Sequence, residues 1–160
     1  DCILNTSVIW ADVESHLRAA LNTDAKLGIN KSVFDIGDGN GYMTCCGLIT
    51  CDWVGAGADE NLPATVVLKI PSILPLRTLN DTLPDGQKLD SADEDKWAFM
   101  DRQITGIHNT EVATYDFLKE FEGLAVPKCY YGTAKLAEVG ESGQLCLEYV
   151  GNTTTMNFHE

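Results

Sequence analysis

The first periodic stretch of the chain runs from Ser7 to Leu21. Its apolar residues recur at helical spacing, and Thr6 or Ser7 is available as a cap before them. The apolar positions are Trp10, Val13, Leu17, Ala20 and Leu21. This pattern predicts an amphipathic helix that opens the domain.

Patterns typical of extended structure follow. Residues 31–37 have the composition of a short strand, and the segment 38–41 reads Asp-Gly-Asn-Gly, which is dense in turn residues. In residues 42–53 one face is apolar at every second position: Met43, Cys45, Gly47, Ile49, Cys51 and Trp53. The two arms predict a hairpin, and the β-branched run Thr65–Ile70, closed by Pro71, predicts a third strand.

The second half of the chain is less regular. Residues 72–107 hold two prolines, several acids and the cluster 97–100, and we interpret them as an insertion with a partial helix. Helical spacing returns in residues 109–121, whose inward positions are Val112, Tyr115, Leu118 and Phe121, and Gly123 lies where that helix would end. Two more strands are predicted at residues 128–134 and 144–150.

The order of these elements predicts an α+β domain with a mostly antiparallel five-stranded sheet, an opening helix and one helix packed on the sheet.

Charge limits the partners of the chain. Its formal net charge is -13 over 160 residues, and a polyanion gains nothing by releasing counterions against another polyanion. We therefore exclude nucleic acid and membrane surfaces as main partners. No apolar run approaches the about 20 residues of a membrane span, and no basic and apolar leader is present, so we expect a cytoplasmic protein.

The six cysteines do not pair in an obvious way. None belongs to a C-x-x-C motif, and three lie close together in one predicted strand. Cys45 and Cys46 are strand neighbours and point to opposite faces. Free thiols in a reducing compartment are therefore favoured over a disulfide framework or a zinc site.

Gly37, Gly39 and Gly41 form a G-x-G-x-G motif. Glycines at such a place let backbone N–H groups approach a phosphate, because no side chain intervenes. A dinucleotide-binding motif would need a helix directly after these glycines, whereas a β pattern follows them. An ordinary hairpin turn remains open as an alternative.

Lys69 and Glu111 form a second candidate pair. Lys69 lies inside the apolar run 66–70, where an ammonium either extends to the surface or meets an anion. Glu111 shares a helix face with Tyr115 and Leu118, so its carboxylate is expected to point toward the sheet. In kinases such a pair orients the lysine on the α- and β-phosphates of ATP. A surface lysine, and an acid that favours a helix N-terminus, remain as alternatives.

Several segments together resemble the choline-kinase-like (ecdysteroid-kinase-like) family of the protein-kinase-like fold. They are Trp10–Glu14, Ile36–Met43, Val67–Ile70 and His108–Glu111. The resemblance covers nearly the whole chain. It implies the ATP-binding small lobe of a kinase, residues 1–160 with the insertion at about 72–107, and ATP-dependent phosphorylation of a small-molecule hydroxyl.

The resemblance also implies roles for individual residues. The three glycines would cover the phosphates, Lys69 would contact the α- and β-phosphates, and Glu111 would position Lys69. The run 147–151 is similar to the kinase hinge, whose Glu-x-Val segment offers a backbone carbonyl and an N–H to adenine. By that similarity the residues around the base would be Val67, Leu147 as gatekeeper, Glu148 and Val150.

Two features depart from the protein-kinase pattern. Tyr42 occupies the position of the third glycine, and the separation between Lys69 and Glu111 is longer than in most protein kinases. The catalytic aspartates and the Mg²⁺ ligands of this fold belong to the large lobe, which follows the hinge. We therefore expect no metal ligands in residues 1–160 and no catalysis by these residues alone.

Three alternatives stay open at this point. The chain could belong to a pseudokinase-like binding or scaffold module that lacks the aspartates of the large lobe. It could be an oxidoreductase that binds a dinucleotide at the glycines, which requires a helix directly after Gly41. It could also be a short protein that keeps the fold without the activity.

Overall fold

The structure is a computed structural model and describes residues 1–37, 42–58, 60–136 and 142–151. Within these ranges the helices are α1 (Trp10–Leu21), α2 (Leu74–Thr82) and α3 (Glu94–Leu118), with a short 3₁₀ helix at Asp85–Gln87. The strands are β1 (Lys26–Leu27), β2 (Ser32–Asp35), β3 (Thr44–Thr50), β4 (Trp53–Val54), β5 (Thr65–Pro71), β6 (Cys129–Thr133) and β7 (Gln144–Glu148).

A five-stranded sheet organises these elements in the order β2-β3-β5-β7-β6. Every neighbouring pair in this order is antiparallel. Together with the helices, the sheet makes the domain α+β, as predicted, and the arrangement is compatible with a kinase-like small lobe. The two central strands, β5 and β7, hold both predicted chemical segments, the one around Lys69 and the one around Glu148.

One face of the sheet packs against α1 and forms the main core. Because side chains alternate across a strand, the buried residues Val66 and Leu68 share this face with Ile49 of β3. Val13 and Leu17 of α1 cover them, and all five side chains are fully buried. Burial of this apolar face stabilises the sheet and fixes its register.

The opposite face is only half covered. It carries Val67 and Lys69 of β5, which pair with Leu147 and Leu145 of β7. Val112 of α3 packs on the two leucines and forms a smaller apolar cluster with them. α3 contacts β5 and β6, so it covers the β6 side of this face.

The start of α1 differs from the prediction. The helix begins at Trp10 rather than Ser7, and its N-cap position is Ile9 rather than Thr6 or Ser7. The Thr6 hydroxyl is used in the preceding turn, where it donates to the Ile3 carbonyl at 2.7 Å and accepts from the Val8 N–H at 3.2 Å. The Asp12 carboxylate caps the helix instead by accepting from the Ile9 N–H at 3.3 Å.

The insertion contains more helix than predicted. α2 lies within it, and α3 begins at Glu94, so the predicted helix at 109–121 is the second half of a 25-residue helix. Asp93 caps α3 by accepting from the Lys96 N–H at 3.1 Å. Trp97 is buried, and its Nε1 donates to the Asp90 carbonyl at 3.2 Å. The cluster 97–100 therefore belongs to the first turns of α3.

The end of α3 also differs from the prediction. The helix ends at Leu118, so Phe121 lies beyond it and is 49% exposed rather than inward. Gly123 adopts a positive φ of 78° in the turns that follow, several residues after the helix end. Only glycine adopts this conformation without strain, which explains its position there.

The predicted strand at 42–53 is split in two. β3 ends at Thr50, and β4 leaves the large sheet to pair with β1, a two-stranded sheet that the sequence did not predict. Asp52 lies at the break: its carbonyl accepts from the Gly28 N–H at 2.6 Å and its carboxylate from the Asn30 N–H at 2.8 Å. These bonds hold the chain after β3 against the residues that follow β1. β6 and β7 lie within their predicted ranges.

All six cysteines are free thiols, as predicted. Cys45 and Cys146 are buried, whereas Cys2 is exposed. Burial raises the pKa of the Cys51 thiol to about 11, so this group stays protonated near neutral pH. The buried thiols therefore act as small apolar side chains.

Charged residues lie within the helices and lower their apolar character. α3 is the longest of the described helices, and it carries Asp101 and Arg102. Over the part of the chain that the structure describes, no helix has both the length and the apolar character to cross a membrane.

The core assignment predicts a large difference between two isoleucines. Ile70 is 1% exposed and Ile29 is 95% exposed. Replacing Ile70 by Ala removes buried methyl groups and leaves a cavity, which is expected to lower the free energy of unfolding by about 2–5 kcal/mol. The matched change Ile29→Ala is expected to alter it by about 0.5 kcal/mol or less. Urea unfolding followed by tryptophan fluorescence measures both, and equal losses would contradict the assigned core.

Candidate nucleotide-binding site

Lys69 and Glu111 come together on the half-covered face of the sheet. Lys69 Nζ donates to Glu111 Oε1, and the two groups form an ion pair. Their side chains are 25% and 32% exposed, so the pair is sheltered but still open to solvent. β5 supplies the lysine at a position that points away from the main core, and α3 supplies the glutamate above it. The arrangement leaves the ammonium able to meet a second anion.

Val67 and Leu147 lie beside this pair. Val67 is the next residue of β5 on the same face, and its partner across the ladder is Leu147. Leu147 is 7% exposed and belongs to the apolar cluster under α3, whereas Val67 is half-buried at its edge. The predicted gatekeeper residue therefore closes the inner end of the apolar surface.

The uncovered side of the face carries two apolar residues that the sequence analysis missed. Leu48 of β3 pairs with Val67 on one side and with Phe34 of β2 on the other. Phe34 is 70% exposed, and Leu48 is half-buried. With Val67 they form an open apolar strip across three strands, next to Lys69. The signal that could have located them is the period of two along β2 and β3, counted from the apolar face of the main core.

Cys46 is a further neighbour that was not predicted. It pairs directly with Lys69 across the β3–β5 ladder, so both side chains point to the same face. Burial raises the pKa of the Cys46 thiol, and the Lys69 ammonium offsets part of that rise. A neutral thiol therefore flanks the ion pair.

β7 ends at Glu148, where the chain is hydrogen-bonded to the residue that precedes β6. The Glu148 N–H donates to the Lys128 carbonyl at 2.7 Å, and the Glu148 carboxylate accepts from the Lys128 N–H at 3.1 Å. Val150 follows the strand and is 48% exposed. These two bonds fix the backbone at the strand end.

Gly37 follows β2 at the base of the glycine hairpin. Its N–H donates to the Asp35 carboxylate at 2.8 Å. A Cβ at this position would lie 3.2 Å from the Cys46 backbone nitrogen, so glycine permits a close approach of the two strands. Gly39 and Gly41, which were also predicted to cover a phosphate, lie outside the described residues.

No helix follows the hairpin in the described part of the chain. Tyr42 and Met43 are irregular, and β3 begins at Thr44. A dinucleotide-binding unit requires a glycine loop that opens directly into a helix, with the helix N-terminus aimed at the pyrophosphate. The described geometry does not provide it.

His108 is a buried polar residue for which the sequence analysis gave no role. It lies on α3 one turn before Glu111, is 4% exposed, and its Nε2 lies 2.9 Å from the Thr133 carbonyl. A carbonyl only accepts, so Nε2 carries the proton in this bond. Burial lowers the pKa of His108, while the bond to Thr133 and the nearby Glu111 oppose that shift. The imidazole is therefore neutral near neutral pH.

A cavity of about 430 Å³ lies at the end of β2, between the sheet and α2. Its walls include Leu4, Asp35, Cys45 and Leu79, and it touches Gly37. Cys45 and Asp35 point to the face of the main core, opposite to Lys69. The cavity is therefore separate from the ion pair.

The buried His108 predicts a pH dependence of stability. Because folding lowers its pKa below the ordinary value near 6.5, the unfolded chain binds this proton more tightly. The stabilising contribution of the neutral imidazole is complete above the unfolded pKa and is lost as the pH falls through the lowered folded pKa. Free energies of unfolding at about pH 7.5 and about pH 5 are expected to differ more for the wild type than for His108→Gln. Carboxylates are common to both proteins, so equal differences would contradict the assignment.

Comparisons with known proteins add one match. A family model described as "Uncharacterized oxidoreductase dhs-27" matches residues 1–160. The chain has no match among the curated proteins or among the solved structures. Because the model covers the whole chain, the chain belongs to this family, DUF1679.

Proposed function

We propose that this chain is the ATP-binding lobe of a small-molecule kinase, which phosphorylates a hydroxyl group in the complete protein. The observation that carries the proposal is the pair of Lys69 on a central strand with Glu111 on the packed helix. In kinases this pair holds the lysine on the α- and β-phosphates. Membership in DUF1679, a family of the choline/ecdysteroid-kinase-like type, supports the same proposal.

The surroundings of the pair suit a nucleotide. The strip formed by Phe34, Leu48 and Val67 offers an apolar surface for a planar base, directly beside the ammonium that meets the phosphates. In this proposal the Glu148 carbonyl and the Val150 N–H bracket the base, and Leu147 limits its depth. Apolar walls with a few placed polar groups are typical of small-molecule sites.

Charge also bears on the nucleotide. The net charge of -13 opposes a bare polyphosphate, so the site has to rely on local donors and on Mg²⁺. In this proposal Lys69 is the local cation, and the backbone donors are assigned to the glycine motif that begins at Gly37. The Mg²⁺ ligands and the aspartate that positions the hydroxyl are assigned to a large lobe that follows the hinge. Residues 1–160 therefore bind the nucleotide in this proposal and do not complete the transfer.

The family description favours a second candidate, because it contains the word oxidoreductase. A dinucleotide-dependent enzyme would need a strand, a glycine loop and a helix in succession, usually in a parallel sheet. Here β3 follows the hairpin, and the five-stranded sheet is antiparallel throughout its described strands. This geometry favours the kinase over a dinucleotide enzyme. A pseudokinase-like module would share the small lobe and lack phosphoryl transfer.

A titration of the full-length protein separates these functions. Isothermal titration with Mg·ATP and with NADH is expected to show binding of ATP only. Lys69→Met removes a charge-assisted contact of about 1.5–3 kcal/mol and is expected to weaken ATP binding by about tenfold or more. Lys26→Met, at an exposed position of β1, is the matched control and is expected to bind ATP like the wild type.

The outcomes divide clearly. NADH binding without ATP binding would favour the oxidoreductase and overturn the proposal. ATP binding that Lys69→Met leaves unchanged would overturn the site. Phosphoryl transfer to a small-molecule hydroxyl by the wild type, abolished in Lys69→Met with its circular dichroism unchanged, is the result expected of a kinase; binding without transfer is the result expected of a pseudokinase.

A further inference from the structure

α3 is fastened to the end of β6 just before Glu111. His108 Nε2 donates to the Thr133 carbonyl at 2.9 Å. Asn109 Nδ2 donates to the Lys135 carbonyl at 3.2 Å, and Asn109 Oδ1 accepts from the Lys135 N–H at 2.8 Å. Lys135 Nζ reaches back to Asp101 Oδ1 at 2.6 Å. We call these four contacts the strand-end clamp.

The clamp is directional and sheltered. The Asn109 amide engages both the donor and the acceptor of one backbone residue, as a neighbouring strand would, so it fixes position as well as distance. The Lys135 side chain is 16% exposed and His108 is 4% exposed. A Cβ at Gly143, just before β7, would lie 2.5 Å from His108 Nε2. Glycine therefore lets the chain close over the imidazole.

Apolar contacts also hold α3 to the sheet near Glu111. Val112 and Tyr115 pack on the cluster around Leu145 and Leu147. Apolar packing attracts the helix to the sheet but specifies its rotation weakly. A helix advances by about 1.5 Å and about 100° per residue, so a slip of one residue would turn Glu111 away from Lys69. The clamp supplies the constraint that apolar packing lacks.

Glu111 follows the clamp residues closely on the helix. Residues three apart lie on the same side of a helix, so fixing His108 also fixes the direction of Glu111. The clamp and the ion pair are thus two contacts of one rigid helical turn, one with β6 and the other with β5. If the first contact is lost, the rotation of the helix depends on apolar packing and on an ion pair that is partly exposed to water.

We propose that His108 and Asn109 are positioning residues, which hold α3 in the rotation that keeps Glu111 on Lys69 before a nucleotide is bound. The consequence for ATP affinity rests on the proposed function. The consequence for the ion pair does not, because the accessibility of Lys69 can be measured without ATP.

The test measures acylation of Lys69 in the full-length protein by an N-hydroxysuccinimide ester, with rates per lysine obtained by mass spectrometry. Glu111→Gln frees the ammonium and sets the upper limit. Asn109→Ala is expected to raise the rate at Lys69 by about threefold or more, with exposed lysines unchanged. Thr114→Ala is the control on the same helix, because Thr114 is exposed and its hydroxyl donates to the Thr110 carbonyl at 2.8 Å, within the helix.

Two further comparisons distinguish positioning of Glu111 by the clamp from a general loss of packing around α3. In the double variant Asn109→Ala/Glu111→Gln the rate at Lys69 is expected to equal that of Glu111→Gln alone, because the clamp acts through Glu111. His108→Phe keeps a ring without the donor and is expected to raise the rate, whereas His108→Gln retains a donor and is expected to restore much of the wild-type rate. Additive increases, or a wild-type rate in Asn109→Ala, would overturn the proposal.

Asp101→Asn is a milder variant, which can be used if Asn109→Ala or a His108 variant fails to fold. It removes only the ion pair of the clamp and is expected to change the rate at Lys69 in the same direction, by less than Asn109→Ala. Unchanged rates in every variant with a wild-type circular dichroism spectrum would overturn the positioning role. Mg·ATP titrations of the same variants are expected to rank in the order of the labelling rates. Absence of ATP binding in the wild type would count against the proposed function, while the labelling would still decide the clamp.

Discussion

Lys69 interrupts an apolar strand at the centre of the sheet, and an ammonium in that position needs an anion within reach. Glu111 provides one from α3, so the ion pair joins the sheet to the helix on the face opposite to the main core. The two faces of the sheet therefore have different roles. One carries the main apolar core under α1 and supplies stability. The other combines an ion pair, a small apolar cluster and an open strip, and supplies the candidate site.

The same constraint gives the insertion a structural role. Its residues form the first turns of α3, which include Trp97. Asp101 in these turns forms an ion pair with Lys135. The helix therefore contacts the end of β6 at more than one point. A helix held in this way presents Glu111 to Lys69 without a ligand. In the proposed site this preorganisation would lower the cost of binding an anion.

The sequence predicted the fold class and four strands of the large sheet closely, because period-two burial is a strong local signal. It also singled out Lys69 and Glu111 as a candidate pair, with a surface lysine left open as the alternative. It did not predict β1 with β4, whose pairing depends on long-range bonds to Asp52, nor the full length of α3. The contribution of Asp93 as a cap was missed among the other acids of the insertion. Phe34 and the clamp were missed because pairing partners are not visible in a single local pattern.

Amide hydrogen exchange of the full-length protein with and without Mg·ATP tests the central claim most directly, namely that the nucleotide lies on the Lys69 face between the hairpin and the end of β7. The account predicts slower exchange in the presence of Mg·ATP around Gly37 and from Glu148 to Gly151, with little change in α1. No change, or slowing confined to the cavity between Leu4 and Leu79 on the opposite face, would contradict it.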